Sequence, residues 1–172
     1  MRSLFEPRTA VAEAVAKPAA RSDGGRVSRA PIATYCFALV VIKQGRRVLL
    51  VRERDGSWSI PGGRMEPGET FAQTATREAF EESGLPIELE GILSVQHTQM
   101  PRGEARARVC FTGRPSDDRL PKGRADKESL GAQWFTREEA MELSFRSDDV
   151  LSLIAQALEG PVYPLSLLGT EQ

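Results

Sequence analysis

A single α/β domain is predicted by three features of the chain. β-Branched and aromatic runs alternate with helical patterns, the length of 172 residues suits one core, and the composition is that of a soluble globular protein. That length also allows a modest appendage but no second catalytic domain. A formal net charge of −1 supplies no global field for drawing in a polyanion, so binding of a nucleic-acid polymer through bulk charge is not expected. Cys36 and Cys110 lie far apart and belong to no CxxC or Cys/His cluster, which argues against a zinc site or a disulfide framework and for buried thiols in a reducing cytoplasm. No apolar run is long enough to span a bilayer, and the first residues lack the continuous apolar segment of a secretory signal, so a cytoplasmic protein without membrane contact is expected.

Residues 1–30 differ from the rest in being rich in alanine and arginine, and Ser22-Asp23-Gly24-Gly25 closes them with turn chemistry. The domain boundary is placed near Ala30, giving an N-terminal arm over residues 1–30 and the main domain over 31–172. The arm reads as mobile or as a dimer-packing element, and a homodimer and an organellar transit peptide are both left open by its composition.

The first strand signal is the run Ala33 to Ile42, and the turn-forming Lys43-Gln44-Gly45-Arg46 separates it from Arg47 to Glu53, which predicts a hairpin. Further strands are expected at Ile87 to Gln96, Ala105 to Thr112 and Gly131 to Phe135. In the second of these Ala105, Ala107, Val109 and Phe111 alternate with Arg106, Arg108, Cys110 and Thr112, as one buried and one wetter face require. Helices are expected after Thr70 and after Thr136, each of which has a Gln or Glu three residues later in capping-box spacing. A third is expected from Ser147 to Glu159, with Gly160 placed to end it.

Between Gly62 and Leu85 five glutamates, Glu66, Glu69, Glu78, Glu81 and Glu82, face two arginines, Arg64 and Arg77. On a helix starting near Thr70, positions 78, 81 and 82 stand in the i, i+3, i+4 relation and share one arc of the surface. Like charges so placed repel unless a cation neutralises them, and an all-oxygen set suits Mg²⁺, with Mn²⁺ as a substitute, better than zinc. The stripe Ala72, Ala75, Thr76 and Ala79 is small enough for close approach to a sheet. Pro61-Gly62-Gly63 and Pro67-Gly68 form tight turns that let backbone come near a ligand. The loop is neither a Walker A loop nor a GxGxxG dinucleotide site. Glu69, eight residues before Arg77, is placed to pair with it. The bland alternative for the whole segment is a solvated acidic helix face.

Gly63, Glu69 and the run Arg77-Glu78-Ala79-Phe80-Glu81-Glu82-Ser83-Gly84-Leu85, at these spacings, resemble the Nudix box, and the resemblance extends over most of residues 33–158. It implies a Nudix-type α/β/α sandwich with a mixed sheet and a catalytic loop-helix-loop. It also implies a metal set of Gly63, Glu78, Glu81 and Glu82, with Glu69 and Arg77 as the orienting pair. Ala79 departs from the family's usual larger aliphatic residue.

The activity implied is metal-dependent hydrolysis of a phosphoanhydride in a small nucleoside diphosphate derivative. The cation lowers the pKa of a bound water, and Glu81 or Glu82 takes the proton. Because a glutamate outside the box often assists in this family, Glu128 is nominated, against the alternative of a loop glutamate in water. GRMEPGET, ADKESLGAQW and RSDDVLSLI resemble the branch that hydrolyses 8-oxoguanine nucleoside diphosphates. Trp58 is a candidate for stacking on a base, against partial core. Arg106 and Arg108 are candidates for phosphate contacts, against solvation. His97, the one histidine, leaves little room for a Ser-His-Asp arrangement. The alternatives are ADP-ribose or nucleotide-sugar cleavage and, with the acidic set intact, less favourably a non-catalytic nucleotide-sensing regulator.

Overall fold

The computed structural model describes residues 31–169, so the arm expected over residues 1–30 lies outside the described residues. The expected hairpin is formed by β1 (Thr34–Gln44) and β2 (Arg47–Arg52). Its turn is narrower than the sequence signal, because Lys43 and Gln44 still pair with Val48 and Arg47. Two short strands, β3 (Trp58–Ser59) and β4 (Gly62–Arg64), then pair antiparallel with β2 and β1. β3 is too short to show alternation, and β4 was hidden in the Pro-Gly-Gly run.

Helix α1 (Phe71–Ser83) begins where predicted. The Thr70 side chain accepts from the Gln73 amide, and the Gln73 side chain answers to the Thr70 amide. Gly84 ends the helix in left-handed backbone at φ 75°, which residues with a Cβ rarely adopt. Strands β5 (Ile87–Gln99), β6 (Ala105–Pro115) and β7 (Ala132–Thr136) follow, the first two running three residues beyond their sequence signals. A capping box at Thr136 and Glu139 starts α2 (Arg137–Met141). Helix α3 (Val150–Glu159) starts three residues later than expected, because Ser147 to Asp149 form a turn in which Ser147 accepts from the Val150 amide. Gly160 follows its last residue in extended rather than left-handed backbone.

The sheet is mixed. β1 runs parallel to β6 and antiparallel to β4, β6 is antiparallel to β5, and β2 is antiparallel to β1, β3 and β7. Period-two alternation divides the core into two layers. Ala38, Val40, Ile42, Val109 and Phe111 meet Ala75 and Ala79 of α1, while Val41, Val48, Leu50 and Cys110 meet Ala140 of α2 and Val150, Leu153, Ile154 and Ala157 of α3. The result is the α/β/α sandwich.

One expectation needs correction. The face of β6 carrying Arg106, Arg108, Cys110 and Thr112 is wet only in its first half, since Cys110 and Thr112 are fully buried. The helical layer on α3's side covers the Cys110 end, which local alternation cannot foresee. Both cysteines are free thiols, but only Cys110 is buried as expected, Cys36 being partly exposed. Among the described residues no helix is long and apolar enough to cross a membrane.

Candidate active site

The acidic segment is organised around one guanidinium. Arg77 makes a two-pronged pair with Glu69, Nε to Oε1 at 2.6 Å and Nη2 to Oε2 at 3.0 Å. Its Nη1 donates to Glu78 Oε1 at 2.9 Å and to Glu81 Oε2 at 3.0 Å, and Nη2 also reaches the Arg64 carbonyl at 3.1 Å. Glu69 accepts in addition from the Glu66 amide at 2.9 Å and the Thr74 hydroxyl at 2.8 Å. The expected pair therefore does tie the loop to the helix. The Arg77 hydrogen bonds hold the Glu69 carboxyl down at about 2, and Glu69 in turn holds Arg77 above its ordinary value.

Glu82 is turned the other way. Its Oε2 accepts from the Gly62 amide at 3.0 Å, and burial pushes its carboxyl up to about 8, the charges of Glu78 and Glu53 adding to the effect. Burial likewise raises Glu78, whose side chain is only 12% exposed, against the opposing pull of Arg77 and with Glu81 and Glu128 adding to the rise. Gly63 is required by this arrangement: a Cβ there would stand 2.2 Å from Glu78 Oε1. The small inner face of α1 makes the close approach possible. Ala75 and Ala79 are buried as the sequence suggests, but the other buried members are Thr74 and Ser83 rather than Ala72 and Thr76.

The single arc read from the sequence is thus divided. Glu78 and Glu81 meet at one nitrogen of Arg77, Glu82 leans on the β4 backbone, and among the described residues no three acidic, cysteine or histidine side chains form a ready-made metal cage. Each of the three carboxylates nevertheless spends one oxygen on a protein donor and leaves its second without a protein partner among the described residues. Three half-used carboxylates, two of them raised by burial and by neighbouring carboxylates, form a donor set whose chemistry fits a hard divalent cation.

The other nominated residues are distributed more widely. Glu128 lies near enough to Glu78 to raise its carboxyl and pairs with Lys127 at 3.0 Å. Trp58 packs against the apolar cluster on the α3 side, edge-on to Phe135 with ring centres 4.8 Å apart, and Arg52 approaches its ring. Arg106 is exposed. Arg108 is neither solvated nor free: its side chain is 13% exposed, with Nε and Nη2 bonded to Gln96 and Nη2 also to Asp149. His97 lies exposed on β5.

Two features had no sequence signal. Glu53, just past β2, adds negative charge at Glu82 while pairing with Arg146 at 3.1 Å. Lys122 and Ser129 bond the last carbonyls of α1, across 41 and 47 residues of chain.

The fold and site together define an α/β/α sandwich bearing an acidic loop-helix-loop at its edge. The chain belongs to the Nudix family: the NUDIX domain model matches residues 34–154. It is similar to a human protein named 8-oxo-dGDP phosphatase NUDT18, with 38% identity over 130 residues that cover 73% of this chain and 39% of that one. It is also similar to a MutT-like protein of Streptomyces ambofaciens, 30% identical over 76% of this chain and 80% of the other. A solved NUDIX hydrolase from Nitrosomonas europaea superposes with a TM-score of 0.68 at 28% identity, covering 80% of this chain and 97% of that one. An ADP-ribose pyrophosphatase from Streptococcus suis shares the fold with a TM-score of 0.59 at 22% identity. The chain spans about two fifths of the length of the 8-oxo-dGDP phosphatases it matches.

Proposed function

We propose that this protein is a Mg²⁺-dependent hydrolase of the phosphoanhydride bond in a nucleoside diphosphate derivative, with oxidised guanine nucleotides as the first substrate class to test. The carrying observation is the trio Glu78, Glu81 and Glu82, each with one oxygen fixed by a protein donor and one left for a ligand. Membership of the Nudix family supports hydrolysis, and the similarity to 8-oxo-dGDP phosphatases supports the guanine class.

Glu78, Glu81 and Glu82, with the Gly63 backbone, would hold the cation, which Mn²⁺ could replace. When bound it supplies charge neutralisation for the diphosphate and lowers the pKa of a water. The chain's own residues do the rest. Arg77, anchored by Glu69, fixes the side chains of Glu78 and Glu81, so their unpaired oxygens keep a set direction. The Gly62 amide does the same for Glu82. Glu81, Glu82 or Glu128 accepts the proton lost by the attacking water, Glu128 being the one that does not belong to the motif. A half-buried edge keeps these charges from full solvent screening.

Nucleotide-sugar or ADP-ribose cleavage is the second reading, favoured by the shared fold with the Streptococcus suis enzyme. A panel of nucleoside di- and triphosphates, 8-oxo derivatives, ADP-ribose and nucleotide sugars assayed with Mg²⁺ separates them. Fastest turnover of 8-oxoguanine diphosphates is expected; turnover confined to ADP-ribose or sugar conjugates selects the second reading, and no turnover of any member contradicts both.

A further inference from the structure

The segment 122–130 is a loop without helix or strand, yet it is held from three directions. The end of α1 is one. Lys122 donates from its amide to the Ser83 carbonyl at 2.8 Å and from Nζ to the Glu81 carbonyl, while the Ser129 hydroxyl donates to the Glu82 carbonyl at 2.8 Å. These are carbonyls at the helix terminus, which otherwise need water. The second is β2 and its continuation. Arg54 Nη2 donates to the carbonyls of Asp126 and Lys127 at 2.9 and 2.8 Å, and the Leu130 amide donates to the Arg52 carbonyl at 2.8 Å. The third is Asp126 within the loop itself. Its Oδ1 accepts from the amides of Glu128 and Ser129 at 2.8 and 3.1 Å, and its Oδ2 accepts from Lys122 Nζ at 2.7 Å.

The outcome is a change of exposure over two residues. Residues 123–127 are exposed, Glu128 is turned partly inward with its side chain 32% exposed, and Ser129 is 2% exposed. An aspartate that binds the amides two and three residues on makes a tight, self-supporting turn. That turn sets Glu128 directly before Ser129, whose hydroxyl reaches the Glu82 carbonyl of α1.

We infer that Asp126 and Lys122 are positioning residues that latch the loop onto the end of α1 and thereby hold Glu128 beside the turn of α1 that carries Glu81 and Glu82, so that the latch governs turnover and not substrate affinity. The inference rests on the reading of the α1 edge as the catalytic centre. Asp126 itself is held well below the usual carboxylate range, chiefly by Lys122, so the latch is closed at neutral pH.

The test is a double-mutant cycle with the full chain and the best substrate from the panel, read beside hydrogen exchange of the metal-free protein. E128Q is expected to lower kcat by about 10²-fold. D126A should lower kcat by about tenfold or more with KM within about twofold. In the E128Q background, D126A should cost less than about threefold further, because the residue it positions is already disabled. Amides 127–130 should exchange faster in D126A while α1 stays protected. D126N, which keeps the Oδ1 acceptor for the two loop amides but turns an amide nitrogen toward Lys122 Nζ, should restore only part of both. K122M repeats the cycle if D126A does not fold, and the same non-additivity is expected. Full additivity, or wild-type kcat in a D126A protein whose loop has loosened, overturns the inference. Wild-type kcat in E128Q also overturns it, while an inactive E82Q in the same series leaves the metal reading standing.

Discussion

Helices α1 and α3 cover opposite faces of the same sheet and use their surfaces in opposite ways. α3 buries Ala157 together with Val150, Leu153 and Ile154, the last three being large side chains that remove apolar area from water. α1 buries Thr74, Ala75, Ala79 and Ser83, which contribute little area but bring the helix backbone close to the strands. The space so gained goes to carboxylates wedged at the edge: Glu78 against Gly63 and Glu82 against Gly62. One helix contributes stability, while the other accepts the cost of half-buried charge to hold geometry.

The largest expected effect is on the α1 side. Glu82→Gln should lower kcat by about 10³-fold or more with melting temperature unchanged or raised, since a carboxylate that burial disfavours is replaced by a neutral amide. Stability loss without loss of turnover would reverse the roles assigned to the two helices. The mirror experiment is Ile154→Ala, a fully buried side chain of the α3 layer. It should cost about 2–5 kcal/mol in denaturant unfolding and leave kcat per folded molecule unchanged.

Gly63→Ala sharpens the contrast within α1. The new methyl would meet Glu78 Oε1 at 2.2 Å, so the carboxylate must swing away, and kcat should fall by about tenfold or more while the unfolding midpoint moves little. Unaltered kinetics would show that the Glu78 position is immaterial. The smallest effect concerns Glu69. Its carboxyl, ordinarily near 4.5, is held at about 2 by Arg77, so its stabilising contribution is complete above 4.5 and is lost as pH falls toward 2. Glu69→Gln should therefore be about 1–2 kcal/mol less stable than wild type at pH 7, with the gap closing as pH falls below 4.5 in paired urea titrations. A gap that does not vary with pH would deny the pair that role.

Legibility followed the range of the determining contacts. α1 was legible at its start and in its glutamate spacing, because the capping box and the i, i+3, i+4 relation are local, whereas its inner face exchanged the expected Ala72 and Thr76 for Thr74 and Ser83. The Glu69–Arg77 pair, eight residues apart, was still within reach of spacing arguments. The division of the glutamates was not, because it depends on where the β4 backbone presents the Gly62 amide. Neither was the burial of Cys110 and Thr112, which needs the layer around α3, nor the commitment of Arg108 to Asp149, 41 residues away. Lys122 and Asp126 look like ordinary surface charges in sequence, and only the fold brings them to the end of α1.

Anomalous diffraction from crystals grown with Mn²⁺ and a non-hydrolysable nucleoside diphosphate tests the central assignment most directly. The expected peak lies within about 2.0–2.6 Å of oxygens from Glu78, Glu81 and Glu82, with Arg77 still on Glu69. A peak bound elsewhere, or no peak with the three carboxylates directed as they are here, would contradict it.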